Sequence, residues 1–373
     1  MTSEAPFVLA RRFAIPSPSN ESNSRGSIQL FPWVVDSAAQ LFKGKWRASE
    51  QWRSMVSEFS DAFVVGYGGS LYILRTSTGQ STCVSLKGTE VSDDINETPQ
   101  VAWALRSTHP FDPLALLADH RRIFVLNIRQ KKIVGCVRGH GGRITSIAVH
   151  PTSPNIFAST SADFTTRIYD LDGLAQKNAE NPVWPPWDGP SHTSAAHGMD
   201  GLDAQGSGLG RCVQILVGGR SGGHAWDVLG AAFHPRLPLI LTCGADRHVK
   251  IWRILSGSTA EAPLLEDKPL FSARITTSRV LSVAWLADDV IIMHTATTST
   301  PARTPPDDDD TTPVSDDEEE PEIPPNYLEP GTIDVFQWLG LKRFFPSPDT
   351  NPNPVSRGGA SDYQESSTAF KIG

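Results

Sequence analysis

Residues 222–254 read GGHAWDVLGAAFHPRLPLILTCGADRHVKIWRI, and how this stretch is read decides the fold. A Gly-His pair (Gly223, His224) precedes a strand pattern from Val228 to Phe233, a turn from His234 to Pro238 and a second strand pattern from Leu239 to Cys243. A tight turn carrying Asp246 follows, and a third strand pattern ends on Trp252. The spacing also sets up a polar network. His224, Thr242 four residues before the aspartate, Asp246 and Trp252 can form a relay in which each donor finds an acceptor inside the sheet. Leaving a buried polar group unpaired costs about 1–3 kcal/mol, so a closed relay allows all four to be buried, and a structural role is expected for them. His beside Asp also suggests catalysis or metal binding, but no nucleophile stands next to the pair. The whole stretch reads as one WD-repeat blade.

A second unit matches it position for position. Residues 138–170, RGHGGRITSIAVHPTSPNIFASTSADFTTRIYD, place His140, Ser159, Asp163 and Tyr169 at the four relay positions. The His-to-Asp separation is 23 residues here and 22 in the first unit, and Asp-to-aromatic is 6 in both. Tyr169 in place of Trp still supplies a donor, which predicts a weakened relay. Upstream, Val101 to Arg138 contains four short strand patterns and reads as a full blade, and AFVVGYGGSLYILR from Ala62 reads as the inner half of a degenerate one. Downstream, RVLSVAWLADDVIIMHT breaks at Ala296 and resumes at Gly331 with GTIDVFQWLGLKRFF.

These units predict an all-β chain, a WD-repeat β-propeller with about five recognisable four-stranded blades of an expected seven, open or incomplete. The propeller is expected over 46–346, after a tail or irregular lead-in at 1–45 and before a disordered tail at 347–373. Two inserts interrupt it, a Pro/Gly/Ser/Ala-rich loop at 174–208 and an acidic segment at 301–326. With both set aside, about 239 residues remain, which at ~40–45 residues per blade make five to six blades. A propeller that does not close leaves sheet edges and blade faces exposed.

The composition is that of a globular chain, with 39% apolar residues, and its 29 Pro and 30 Gly suit many turns. The formal charge of −8 is concentrated. Asp307–Glu322 holds ten acidic and no basic residues, and without them the remainder carries +2. Such a segment buries too little apolar area to fold and reads as a loop leaving one blade. The four cysteines, Cys83, Cys136, Cys212 and Cys243, show no C-x-x-C spacing, so buried free thiols in strands are expected, with neither a zinc site nor a disulfide framework. No run of 18 apolar residues and no signal peptide pattern occurs, which predicts an intracellular, soluble protein without a membrane partner.

Other candidate features have plain structural readings. Trp184 and Trp187 in the first insert are suited to anchoring a partner but more commonly pin a loop to its own blade. His192 and His197 lack the companions a metal needs. Gly-Gly-Arg-Ser-Gly-Gly at 218–223 lacks the Lys-Ser/Thr of a phosphate loop and reads as a turn. The basic RQKK at 129–132 reads as a solvated turn, with weak phosphate contact as the alternative and no sequence-specific nucleic acid binding. No cofactor or metal site is expected.

The segments VRGHGGRITSIAVHPTSPNIFASTSADFTTRIYDLDG, GGHAWDVLGAAFHPRLPLILTCGADRHVKIWRI and RVLSVAWLADDVII resemble consecutive blades of the extra sex combs/embryonic ectoderm development (EED) family, the WD-repeat subunit of polycomb repressive complex 2. WPPWDGP, LVGGRSGG and FQWLGLKRFF are similar to fungal members. The resemblance spans about 60–345. It implies a nuclear, non-enzymatic, seven-bladed scaffold that grips a helix of a SET-domain histone methyltransferase subunit on one face. On the other, an aromatic cage reads a trimethylated lysine of a histone tail peptide. This chain departs from that pattern. Pro99 occupies one family cage position, further cage aromatics belong to a blade after FQWLG, and the first-blade aromatic is Trp52 or Trp46.

Two other functions compete. A substrate receptor of a ubiquitin ligase, among generic WD-repeat adaptors, would carry Trp-Asp-x-Arg at the end of a third strand. Here those positions read Tyr169-Asp170-Leu171-Asp172 and Trp252-Arg253-Ile254-Leu255, without the arginine. An enzyme would need a nucleophile beside a base, and the polar residues are already committed to the relays.

Overall fold

The computed structural model describes residues 11–15, 26–47, 49–86, 98–175, 206–217, 222–255, 263–301 and 326–345. Blade 1 is an antiparallel sheet of β1 (Ser27–Leu30), β2 (Ala62–Tyr67), β3 (Ser70–Arg75) and β4 (Ser81–Ser85), paired in that order. Blade 2 consists of β5 (Gln100–Ala104), β6 (Leu114–Asp119), β7 (Arg122–Asn127) and β8 (Lys132–Val137). Blade 3 contains β9 (Ile144–Val149), β10 (Ile156–Ser161), β11 (Thr166–Leu174) and the long outer strand β12 (Gly206–Leu216). The start of β12 also pairs with β8, and its end pairs in parallel with the short β16 (Leu264–Glu266), so blades 2 and 3 are joined at their outer edge.

Blade 4 is β13 (Val228–Phe233), β14 (Leu239–Gly244), β15 (His248–Arg253) and β17 (Phe271–Arg274). Blade 5 has three described strands, β18 (Val280–Trp285), β19 (Val290–Thr295) and β22 (Ile333–Gln337), and is followed by the short helix α2 (Leu341–Phe344). Between β19 and β22 the chain rises as a hairpin stem, β20 (Thr298–Pro301) paired with β21 (Asn326–Glu329).

The inner strands β1, β5, β9, β13 and β18 lie side by side in succession. Side chains alternate along a strand, so each sheet offers an apolar face to both neighbours, and the cores lie between blades. Trp103, Leu117 and Phe124 of blade 2 pack with Val64, Leu71 and Ile73 of blade 1. Phe157 and Tyr169 of blade 3 face Leu116 and Val125 of blade 2. Ile168 and Leu216 meet Ile240 and Trp252 at the junction of blades 3 and 4, and Leu241, Ile251, Ile291, Phe336 and Trp338 fill the junction of blades 4 and 5. The end faces differ. On blade 1, Phe13 and Ile15 pack against Phe63, Val65, Tyr72 and Leu74, while Ile28 and Leu30 remain exposed, as does Ile333 on blade 5.

The N-terminal reading needs correction. Residues 26–45, expected as tail or lead-in, are built into the fold. Leu30 pairs with Phe63 in blade 1, and Trp33, Ala38 and Leu41 are buried. The inner strand of blade 1 is therefore β1, and Ala62–Arg75 supplies the two middle strands instead of the inner half. The connection from β1 to β2 carries 3-10 turns at Val35–Ala39 and Leu41–Gly44, then α1 (Glu50–Phe59). Ser49 caps α1 by accepting from the Trp52 amide, and Trp52, Met55, Val56 and Phe59, at helical spacing, bury one face. The Phe42 amide donates to Thr152 O, so this segment reaches blade 3.

The insert boundaries are also narrower than expected. Leu174 and Gly206–Gly208 are strand residues at the edges of the 174–208 insert, and Pro301 pairs with Asn326 across the base of the acidic one. Trp184, Trp187, His192, His197, the acidic run, the 347–373 tail and the turn residues 218–221 lie outside the described residues. All four cysteines are free and lie in strands, but Cys83, on the edge strand β4, is exposed and Cys136 is half-buried. Only Cys212 and Cys243 are buried. No described helix is long and apolar enough to cross a membrane.

Candidate functional site

The relay residues of blade 4 come together at one end of the sheet, where the Gly-His turn before β13 meets the β14–β15 turn. His224 Nδ1 lies 2.9 Å from Asp246 Oδ2, and its Nε2 lies 2.8 Å from Thr242 Oγ1, which accepts the Trp252 indole N–H at 2.8 Å. The carboxylate also accepts the amides of Ala225 and His248, at 3.0 and 3.1 Å. One polarity satisfies every group. Trp252 N–H donates to Thr242, the Thr242 hydroxyl to Nε2, and Nδ1–H to Asp246. This needs a neutral imidazole, and burial holds the His224 pKa below its ordinary 6.5 despite the opposing pull of Asp246. Burial alone raises a carboxyl pKa, but here the hydrogen bonds from His224 and from the amides of Ala225 and His248 outweigh it and bring Asp246 down to about 2.

Blade 3 brings His140, Ser159, Asp163 and Tyr169 together in the same way. His140 Nδ1 lies 2.9 Å from Asp163 Oδ2 and Nε2 lies 2.7 Å from Ser159 Oγ. Asp163 also accepts from the amides of Gly141 and Thr165, each at 2.9 Å, and from the Thr165 hydroxyl at 2.7 Å. Tyr169 is buried, which raises the pKa of its phenol, and Ser159 is its hydrogen-bonding neighbour. The polar side chains of both relays are thus engaged inside the sheet, and the sulfur of nearby Cys243 is buried with its pKa raised.

Two further sets of polar residues were missed in the sequence, and both repeat between blades. His150 and His234, each ten residues after its relay histidine, brace the turns at the opposite end. His150 Nδ1 accepts the amides of Thr152 and Ser153 at 3.2 and 3.1 Å, and His234 Nδ1 those of Arg236 and Leu237 at 3.1 and 2.9 Å. Four residues after each relay aspartate stands a buried cation, Arg167 or Lys250. Lys250 Nζ donates to Gly222 O and Ser272 Oγ at 2.9 and 2.7 Å, and burial lowers its pKa to about 8. Gly139 has φ 143°, and a Cβ there would meet the Arg167 guanidinium at 2.5 Å, which explains the glycine before His140. The signals were His-Pro at matched positions and a matched basic residue.

The candidate cage residues are not gathered. Trp52 is 1% exposed in the blade 1–2 core, and its indole N–H donates to Val35 O at 3.0 Å. Trp46 is half-buried, its ring and that of Phe111 steeply inclined at 75° with 5.2 Å between centroids, and Lys45 Nζ lies over it at 4.8 Å. Pro99 is buried beside Gly66. In the RQKK turn, Arg129 pairs with Glu58 of α1 at 2.7 Å and lies over Phe59, so one of its charges is used internally. The described residues contain no group of three His, Cys, Asp or Glu that could hold a metal.

The repeat geometry agrees with a family match. The WD domain, G-beta repeat family matches residues 131–170 and 210–253, which include both relays. A polycomb protein EED of Chaetomium thermophilum is 27% identical over 205 residues, covering 54% of this chain and 30% of its own length. A polycomb group protein FIE1 of Zea mays is 23% identical over 248 residues, covering 62% and 45%. The chain carries WD repeats and is similar to polycomb EED and FIE proteins. It spans less than half the length of either relative. A chain in the crystal structure of the Chaetomium thermophilum polycomb repressive complex 2 aligns with 82% of this chain and 50% of its own, at 22% identity and a TM-score of 0.49.

Proposed function

We propose that the chain is a non-catalytic scaffold subunit of a polycomb-type histone lysine methyltransferase complex and acts in the nucleus. The sequence match to polycomb EED and FIE proteins carries this reading. The chemistry supports it, because the relay histidines and carboxylates are engaged in holding blades and leave no assembled reaction centre among the described residues. The partner expected on this reading is a SET-domain methyltransferase subunit. In relatives with all seven blades, a trimethylated histone lysine would be a second.

Co-expression tests the reading. A tagged form of this chain, and one extended to the length of its relatives, should each recover a SET-domain methyltransferase on purification and show no methyltransferase activity alone. Failure of the extended form to recover such a subunit overturns the proposal.

A further inference from the structure

We propose that a cleft between blades 4 and 5, at the relay end, is a docking site for an extended acidic peptide segment of a partner protein. The cleft measures about 940 Å³ and is walled by Trp226, Asp227, Arg247, Arg274, Arg279 and the base of the β20 stem at Thr297–Ser299. Trp226 is 63% exposed, and all three arginines are exposed. None of the three guanidinium groups has an ion pair or hydrogen bond among the described residues.

The carboxylates in the same wall do not neutralise them. Asp246 is engaged by His224 and two backbone amides, and Asp227 faces Arg143 at 3.6 Å. The cleft therefore presents three positive charges, unmatched among the described residues, around an exposed indole. Arginine pairs with carboxylates through two parallel hydrogen bonds, and tryptophan and arginine are the side chains that dominate peptide interfaces. An Asp/Glu-rich peptide fits this arrangement. A nucleic acid fits less well, because the charge is confined to one cleft bounded by Asp227 instead of running along a stripe.

Arg247 gives a clean test. It sits in the left-handed region at φ 67°, which glycine adopts without strain, so Arg247→Gly removes the charge and eases the turn. Fluorescein-labelled hexaglutamate is titrated against the full chain by fluorescence anisotropy. The titration is repeated on a form whose ten acidic residues between Asp307 and Glu322 are replaced by amides, so that the chain's own carboxylates do not compete.

At least one form should bind saturably, more weakly as salt rises, with hexaglutamine inert. Arg247→Gly, Arg274→Gln and Arg279→Gln should each weaken binding roughly tenfold while the melting temperature stays within a few degrees of the parent. Absence of binding in both forms, or full binding by all three folded variants, overturns the proposal. So does a single-stranded RNA that binds more tightly than the peptide and loses affinity in the same variants.

Discussion

His224 and Trp252 are joined through a single oxygen, Thr242 Oγ1, which lies 2.8 Å from both the imidazole Nε2 and the indole Nε1. Thr242→Val keeps the shape but removes this oxygen, leaving two buried nitrogens unpaired at about 1–3 kcal/mol each. A loss of ~2–6 kcal/mol in urea-unfolding free energy is expected, with Thr242→Ser close to the parent. A Val variant as stable as the parent would mean that the oxygen is not shared.

Asp246→Ala removes the acceptor for His224 and for the amides of Ala225 and His248. It should lower stability by ~1–3 kcal/mol, as should Asp163→Ala in blade 3. Because the folded pKa of Asp246 is about 2 against an ordinary 3.8, its contribution is complete above pH 3.8 and disappears as pH falls through 2. Acid titration of Asp246→Ala should therefore lack that part of the parent's decline, and coincident curves below pH 3.8 would contradict the assignment.

Both relays were legible from sequence because each closes within one repeat, over fixed separations of 22 or 23 and 6 residues. The inner strand of blade 1 was not. Ser27–Leu30 is four residues long and pairs with Ala62–Tyr67 only after two 3-10 turns and α1 have intervened, so no local period connects them. The hairpin stem Thr298–Pro301 with Asn326–Glu329 was hidden for a similar reason, since its two short strands flank the acidic run. The cleft between blades 4 and 5 draws on four separate turns, and Arg247, Arg274 and Arg279 become neighbours only when those blades pack. Local spacing reported what braces a blade, and blade-to-blade packing determined what surface is offered.

The turn histidines predict acid sensitivity. Burial, with the neighbouring charge of His234, lowers the His150 pKa to about 4, and burial also lowers those of His234 and His224. The unfolded chain takes up these protons near pH 6.5, ahead of the folded one, so stability is complete above 6.5 and falls as pH drops toward 4. Each histidine adds at most about 1.4 kcal/mol per pH unit to the slope. His150→Asn supplies an oxygen acceptor for the Thr152 and Ser153 amides without a titrating ring. Its melting temperature should fall less between pH 6.5 and 4 than the parent's, and an identical slope would remove His150 from the account.

The placement of the candidate cage residues argues against trimethyl-lysine reading through them. Trp52 is enclosed in the core, Pro99 offers no ring, and the Trp46 ring already carries Lys45 and meets Phe111. A ring facing a desolvated quaternary ammonium contributes ~2 kcal/mol or less, and association costs at least ~4 kcal/mol in lost freedom. One such ring therefore falls short of the roughly 5.5 kcal/mol that a 100 μM complex requires. In a fluorescence anisotropy titration with a trimethyl-lysine histone peptide, no saturation should be seen up to that concentration. Tighter binding that is lost in Trp46→Ala, while Trp52→Phe leaves it intact, would show that Trp46 turns outward to form a working cage.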